Sequence, residues 1–219
     1  MADPIVFYPA FGSPYSYVAA QMIDEVGQKH SRTVLWRPVR LSTILRQPGS
    51  EMGPIPAAKL AYWRHDVARV CRLRSLPFAR PEGVEPPFDC DALYNTCYAL
   101  ADGNEAQLRT VTLAALSVIW AQGQALKDVD AVVAGMQRFN LSSAVVTRYA
   151  TSANGAAQHQ AALGAAVAAG MIGAPWIVVG AESFWGHDRI PYLDQWLSAG
   201  RGKGDAKRPQ PVLVRSTDT

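Results

Sequence analysis

From Leu41 to about Gly170 the chain offers helical periodicity and no strand, while every strand-like run lies outside that stretch. Two strand-bearing flanks separated by helices must therefore meet in space to build one sheet. The first flank opens with Ile5-Val6-Phe7-Tyr8, a short β-branched and aromatic run, and turns at Phe11-Gly12. Ser13 before Pro14 is a helix start, because serine accepts from orphan N–H groups and proline suits the first helical position. Val18, Met22, Ile23 and Val26 continue one buried helical face, and Val34-Leu35-Trp36 with Val39 forms a second strand. The other flank reads as a strand at Trp176-Ile177-Val178-Val179, a turn at Gly180-Ala181-Glu182, a partner strand at Ser183-Phe184-Trp185 and a closing helix from Pro191 to Leu197. Between them, helices are predicted over 59–73, 89–101, 105–122, 129–139 and 142–169, the last interrupted near Asn154-Gly155.

The order is β-α-β, helices, then β-β-α. Without the middle, what remains is a thioredoxin-like unit. The fold class expected is α/β: a thioredoxin-like domain interrupted by an all-helical insertion. Residues 1–40 and 171–200 form the discontinuous domain, 41–170 the insertion, and 201–219 a disordered basic tail. A length of 219 residues suits one fold carrying a large insertion. Hydrophobic residues at 49% against 18% charged exclude a disordered or coiled-coil chain. Residues 201–219 carry five basic and two acidic side chains, a balance of +3 that equals the charge of the whole chain. A solvated tail accounts for this without a nucleic-acid partner. The longest stretch free of Asp, Glu, Lys and Arg, Tyr149 to Ala181, contains Asn154, Gln158, His159, Gln160 and a Gly173-Ala174-Pro175 break, so a buried helix and strand are expected rather than a membrane span. The start Met1-Ala2-Asp3-Pro4 has no signal-peptide pattern, and three cysteines without a close pair suit a reducing compartment; a cytoplasmic protein is expected.

In a thioredoxin-like fold the reactive dithiol sits at the start of the first helix. Here that place reads Ser13-Pro14-Tyr15-Ser16, with the Cys-x-x-Cys spacing kept and both sulfurs gone. A hydroxyl forms no disulfide, so dithiol redox chemistry is excluded there. Any sulfur must come from outside. Ala174-Pro175 occupies the place where that fold usually has a cis-proline, and local sequence leaves cis and trans open.

Three segments occur in order: Phe7-Tyr8 to Ser13-Pro14-Tyr15-Ser16-Tyr17; Lys59, Tyr62, Asp66 and Arg69 followed by Leu76-Pro77; and Gly170 to Pro175 with Phe184-Trp185-Gly186-His187-Asp188-Arg189. Together they resemble the 2-hydroxychromene-2-carboxylate isomerase family, which is related to kappa-class glutathione transferases and to disulfide oxidoreductases with a helical insertion. The resemblance covers about residues 4 to 198. It implies glutathione as cofactor, with Ser13 as the catalytic residue whose hydroxyl hydrogen-bonds the sulfur. Ala174 would pair through its backbone with the tripeptide, and Trp185, Gly186, His187 and Asp188 would hold the γ-glutamyl end. Ser16 lies one turn further into the helix, beyond the first contact.

The implied activity is a glutathione-dependent cis–trans isomerisation of 2-hydroxychromene-2-carboxylate-like hemiketals to trans-o-hydroxybenzylidenepyruvate-like products in aromatic catabolism. The alternatives are a kappa-like glutathione transferase and a non-catalytic thioredoxin-like binding or folding factor. The substrate is then a small aromatic carboxylate, and a homodimer is expected. Lys59 and Arg80, from a strongly basic segment, are the candidates to receive a carboxylate, with Leu41, Met52 and Tyr62 as pocket walls. The sequence departs from the family at His187, where Asn is common, at Trp176, where Thr is common, and at Ser50, near where Asn often binds ligand. The loop from Gln47 to Pro56 is shorter than usual. Four scattered histidines give no metal spacing.

Overall fold

A computed structural model describes residues 2–46, 56–81, 90–136 and 142–201. The four strands form one sheet in the order β2-β1-β3-β4, with β1 Ile5–Tyr8, β2 Val34–Trp36, β3 Trp176–Val179 and β4 Glu182–Trp185. The two sequence flanks therefore meet at the centre. β1 pairs parallel with β2 and antiparallel with β3, with Tyr8 opposite Trp176 and Ile5 opposite Val179. A parallel pair needs a crossover, and α1 (Pro14–Ala20) and α2 (Ile23–Lys29) supply it. The single helix expected from Ser13 to Val26 is thus two. At Gln21 and Met22 the backbone N–H groups reach only three residues back, to Val18 and Ala19, and that tightened turn ends α1. Its apolar face is retained, since Val18, Ile23 and Val26 are all buried.

The helical layer comprises α3 (Leu41–Ile44), α4 (Ala57–Leu73), α5 (Asp91–Ala101), α6 (Glu105–Trp120), α7 (Val129–Met136), α8 (Ser143–Ala150) and α9 (Ala153–Ala168); α10 (Ile190–Ser198) closes the chain. The break expected at Asn154-Gly155 lies at Thr151-Ser152. Ser152 accepts from the Gly155 N–H at 3.1 Å, so a side-chain cap, not the glycine, starts α9. Gly155 has another role: a side chain there would lie 2.3 Å from the Asn95 carbonyl, which lets α9 pack closely on α5.

One core runs from sheet to helices. Phe7 meets Trp36 edge-on at 4.8 Å, and Phe11 packs on Tyr94 at 4.6 Å. Cys71 and Cys97 are buried free thiols, which burial holds in the neutral form; the Cys71 pKa is pushed up to about 11. No helix among the described residues is long and apolar enough to cross a membrane, and no described cluster of acidic, Cys or His side chains could hold a metal.

His159 on α9 is fully buried, stacks on Tyr94 at 4.7 Å and leaves both ring nitrogens without a hydrogen-bond partner. Burial, assisted by Arg40 and opposed by Asp91, pushes its pKa down from 6.5 to about 4. The neutral ring is therefore compatible with the fold above pH 6.5, and stability is lost as pH falls from 6.5 towards 4. That gap corresponds to about 3 kcal/mol. Unfolding free energies from urea titrations between pH 7.5 and 4 should fall by that extra amount in the wild type relative to His159→Phe. Parallel curves would show that His159 does not titrate with unfolding.

Candidate functional site

Ser13 caps α1 in an extended conformation (φ −112°, ψ 113°) and is 6% exposed. Its hydroxyl donates to the Ala174 carbonyl at 3.2 Å and accepts a long bond from the Ser16 N–H at 3.4 Å. The Ala174-Pro175 peptide is cis, and the Ala174 carbonyl lies against the start of α1. Ser16 is fully buried and its hydroxyl accepts from the Ala10 N–H at 3.0 Å, so it holds the turn that presents Ser13. That turn is fixed from the helical layer as well. The Phe11 N–H donates to the Tyr94 hydroxyl at 3.0 Å and the Phe11 carbonyl accepts from the Trp120 indole at 2.8 Å.

Above Ser13 lies a cavity of about 200 Å³. Gly12 to Tyr15 and Gly173-Ala174 form its floor; Leu41, Leu45, Leu60 and Trp63 line one side, and Ile172 and Trp185 the other. The walls are apolar except for Lys59, which is exposed and has no ion-pair partner among the described residues. Trp185 lies flat over Gly173, where a side chain would come within 2.5 Å of the indole nitrogen. Among the described residues, a cavity lined by Lys59, the buried Ser13 hydroxyl and the indoles of Trp63 and Trp185 suits a flat apolar molecule bearing an anionic group.

Beyond Trp185 the chain turns at Gly186, whose N–H donates to the Pro175 carbonyl at 3.0 Å. Its φ of +107° is glycine's own territory, and a methyl group there would lie 2.4 Å from the Asp188 carboxylate. A 3-10 turn, His187–Arg189, follows. The Asp188 carboxylate pairs with Arg189 at 2.9 Å and is half exposed. His187 stacks on Tyr15, centroids 4.8 Å apart and planes within 4°. Burial lowers its pKa, with Arg74 acting in the same direction and Asp188 and Asp66 opposing. The ring is neutral at pH 7.

Of the residues expected from sequence, Ser13, Ala174, Trp185, Leu41 and Lys59 line the cavity. Gly186, His187 and Asp188 lie beside it, joined through the His187–Tyr15 stack. Two expected pocket residues are not among its walls. Tyr62 is 62% exposed, and its hydroxyl faces Asp66 and Arg69 instead. Arg80 sits where the chain runs along the end of α6: the neighbouring Ala79 N–H donates to the Trp120 carbonyl at 2.7 Å, and the Arg80 carbonyl lies against Gly123. Met52 lies outside the described residues. Leu60 and Trp63, which sequence reasoning missed, belong to the same face of α4 as Lys59, so the spacing 59, 60, 63 was their available signal.

A family model described as a DSBA-like thioredoxin domain matches residues 4–198. The 2-hydroxychromene-2-carboxylate isomerase of Sphingobium xenophagum is 25% identical over 203 residues, 90% of this chain and 99% of that one. The isomerase of the same name from Pseudomonas putida is 24% identical over 201 residues, 86% of this chain and 91% of that one. A solved structure of 2-hydroxychromene-2-carboxylate isomerase superposes with a TM-score of 0.76 at 23% identity, covering 89% of this chain and 94% of the other. The cytosolic disulfide reductase DsbM from Pseudomonas aeruginosa, solved with GSH, superposes with a TM-score of 0.59 at 12% identity, covering 90% and 96%.

Two glycine substitutions should act in opposite directions. Gly186→Ala should destabilise by about 1–3 kcal/mol, through its backbone conformation and the crowded Asp188. Gly164→Ala, on an α9 face with nothing within 4 Å, should stabilise by about 0.5–1 kcal/mol. Urea denaturation of both variants checks the signs, and a stable Gly186→Ala would mean that the loop adapts.

Proposed function

The chain belongs to the DSBA-like thioredoxin domain family, and from that membership and its sulfur-free site we propose a glutathione-dependent cis–trans isomerase acting on 2-hydroxychromene-2-carboxylate-like hemiketals. The observation that carries the reading is Ser13. It is a buried hydroxyl against the cis-proline loop, at the floor of an apolar cavity, where redox relatives need a thiol. The residues fit a tripeptide with one sulfur, one ammonium and two carboxylates. Ser13 can donate to a sulfur anion, because its present bond to Ala174 is long and readily exchanged. Asp188 can accept from an ammonium group, and Lys59, with no ion-pair partner among the described residues, can meet a carboxylate of the tripeptide or of the substrate.

Ser13, Ala174 and Asp188 would hold glutathione, which when bound would supply a thiolate nucleophile for reversible addition to a conjugated carbon. The chain's own work is to keep that sulfur ionised and the substrate dry. Lowering a thiol of pKa ~8.5 by about two units needs ~2.7 kcal/mol. A hydrogen bond to a charged group supplies about 1.5–3 kcal/mol. α1 has only seven residues, so the hydroxyl rather than the helix dipole supplies most of the effect. Leu41, Leu60, Trp63 and Trp185 exclude water from the reacting carbon, and Lys59 orients the carboxylate.

Calorimetric titration with glutathione, followed by product analysis with a chromene carboxylate and an aryl halide, tests the reading. Isomerised chromene product with glutathione regenerated is the result expected. A stable aryl conjugate as the only product would indicate a transferase, and no binding at millimolar glutathione a non-catalytic factor.

Ser13→Ala should lower activity at pH 7 by about 3- to 25-fold and recover in part as pH rises, because the thiol pKa returns upward from ~6.5 by roughly one to two units. Ser16→Ala should differ in kind. It strips the buried Ala10 N–H of its acceptor and costs about 1–3 kcal/mol of stability without moving the pH profile. Rate–pH profiles alongside melting curves check both. An equal, pH-independent loss in the two variants would reduce Ser13 to a helix cap.

A further inference from the structure

The Tyr62, Asp66 and Arg69 positions of α4 stand outside the cavity, yet they lead directly into the site. The Tyr15 hydroxyl, two residues beyond Ser13, donates to the Asp66 carboxylate at 2.6 Å. The second carboxylate oxygen of Asp66 accepts from Arg69 and, at 3.5 Å, from the Tyr62 hydroxyl. Although burial opposes it, the bonds from Tyr15 and Arg69 hold the Asp66 carboxyl below its ordinary range; burial and Asp66 raise the Tyr15 phenol. The donor and the acceptor therefore keep their states across the neutral range. The other side of the Tyr15 ring carries His187, stacked within 4° of parallel. His187 begins the 3-10 turn that presents Asp188.

We propose that Asp66 and Tyr15 are positioning residues for the glutathione-binding loop, with Asp66 fixing the Tyr15 ring and the ring fixing His187 and Asp188. The inference rests on the glutathione reading above. The bond from the Tyr15 phenol to a carboxylate held by Arg69 fixes where the far end of the ring lies and so restrains its swing about the Cα–Cβ bond, which a phenyl ring there would lack. The Asp66–Arg69 pair supplies that immobility from the helical layer, on a different helix from Ser13. The bond thus carries orientation across the boundary between α4 and the end of β4.

The test is a double-mutant cycle on glutathione affinity, measured by calorimetry with the full chain. Tyr15→Phe keeps the ring and removes the bond to Asp66, and His187→Ala removes the stacked ring. Each should weaken glutathione binding about 5- to 20-fold, and the double variant should be no weaker than His187→Ala alone. The thiol pKa of bound glutathione, set by Ser13, should stay unchanged in all three. Asp66→Ala should match Tyr15→Phe. Independent, additive losses, or melting temperatures that fall while affinity holds, would overturn the proposal and leave the network a fold contact. Wild-type protein that binds no glutathione would overturn the underlying reading and this inference with it.

Discussion

The backbone of Phe11 is gripped at both ends by the helical layer, its N–H by Tyr94 of α5 and its carbonyl by Trp120 of α6. Everything at the site hangs from that grip. Two residues later comes Ser13, whose own N–H returns to Ala10, while Ser16 ties the Ala10 N–H back. The two clamps are themselves braced: Phe78 stacks parallel on Trp120, Trp63 meets it edge-on, and His159 stacks on Tyr94. Buried hydrogen bonds to backbone groups are costly to leave unmade. The inserted helices therefore set the geometry of the turn as well as roofing the cavity.

The second constraint is chemical. A thioredoxin-like helix start normally presents a thiol, and a serine there cannot carry electrons. It can still donate one hydrogen bond to an anion such as the proposed thiolate, in a cavity whose described walls are mostly apolar. The His187 ring, neutral through burial, places no positive charge beside that anion, so stabilisation falls to the hydroxyl. On the proposed reading, the apolar cavity with Lys59 would take an aromatic carboxylate, and the half-exposed Asp188 a charged end of the tripeptide.

Much of this was legible in the chain. The four strands, the Ser13-Pro14 helix start and the Ala174-Pro175 loop are local signals, each readable from residues a few positions apart. The split at Gln21-Met22 was not, because no glycine or proline marks it and the apolar face continues through it. The grip on Phe11 spans 83 and 109 residues of sequence, and no spacing rule reaches so far. Arg80 lies along the end of α6 and not among the described cavity walls, a placement set by backbone contacts that a run of charge does not encode. Tyr62 stands exposed on α4 beside Asp66, and its neighbour Trp63 is the aromatic residue of that helix that lines the cavity.

The central claim is that Ser13 keeps a thiolate ionised over the start of α1. The ultraviolet thiolate band of glutathione bound in stoichiometric amount to the wild-type protein at pH 7 tests it most directly. The account predicts a band of roughly three-quarters of full intensity that falls at least about threefold in Ser13→Ala while the tripeptide stays bound. Glutathione that binds the wild type as a neutral thiol, with no such band, would contradict it.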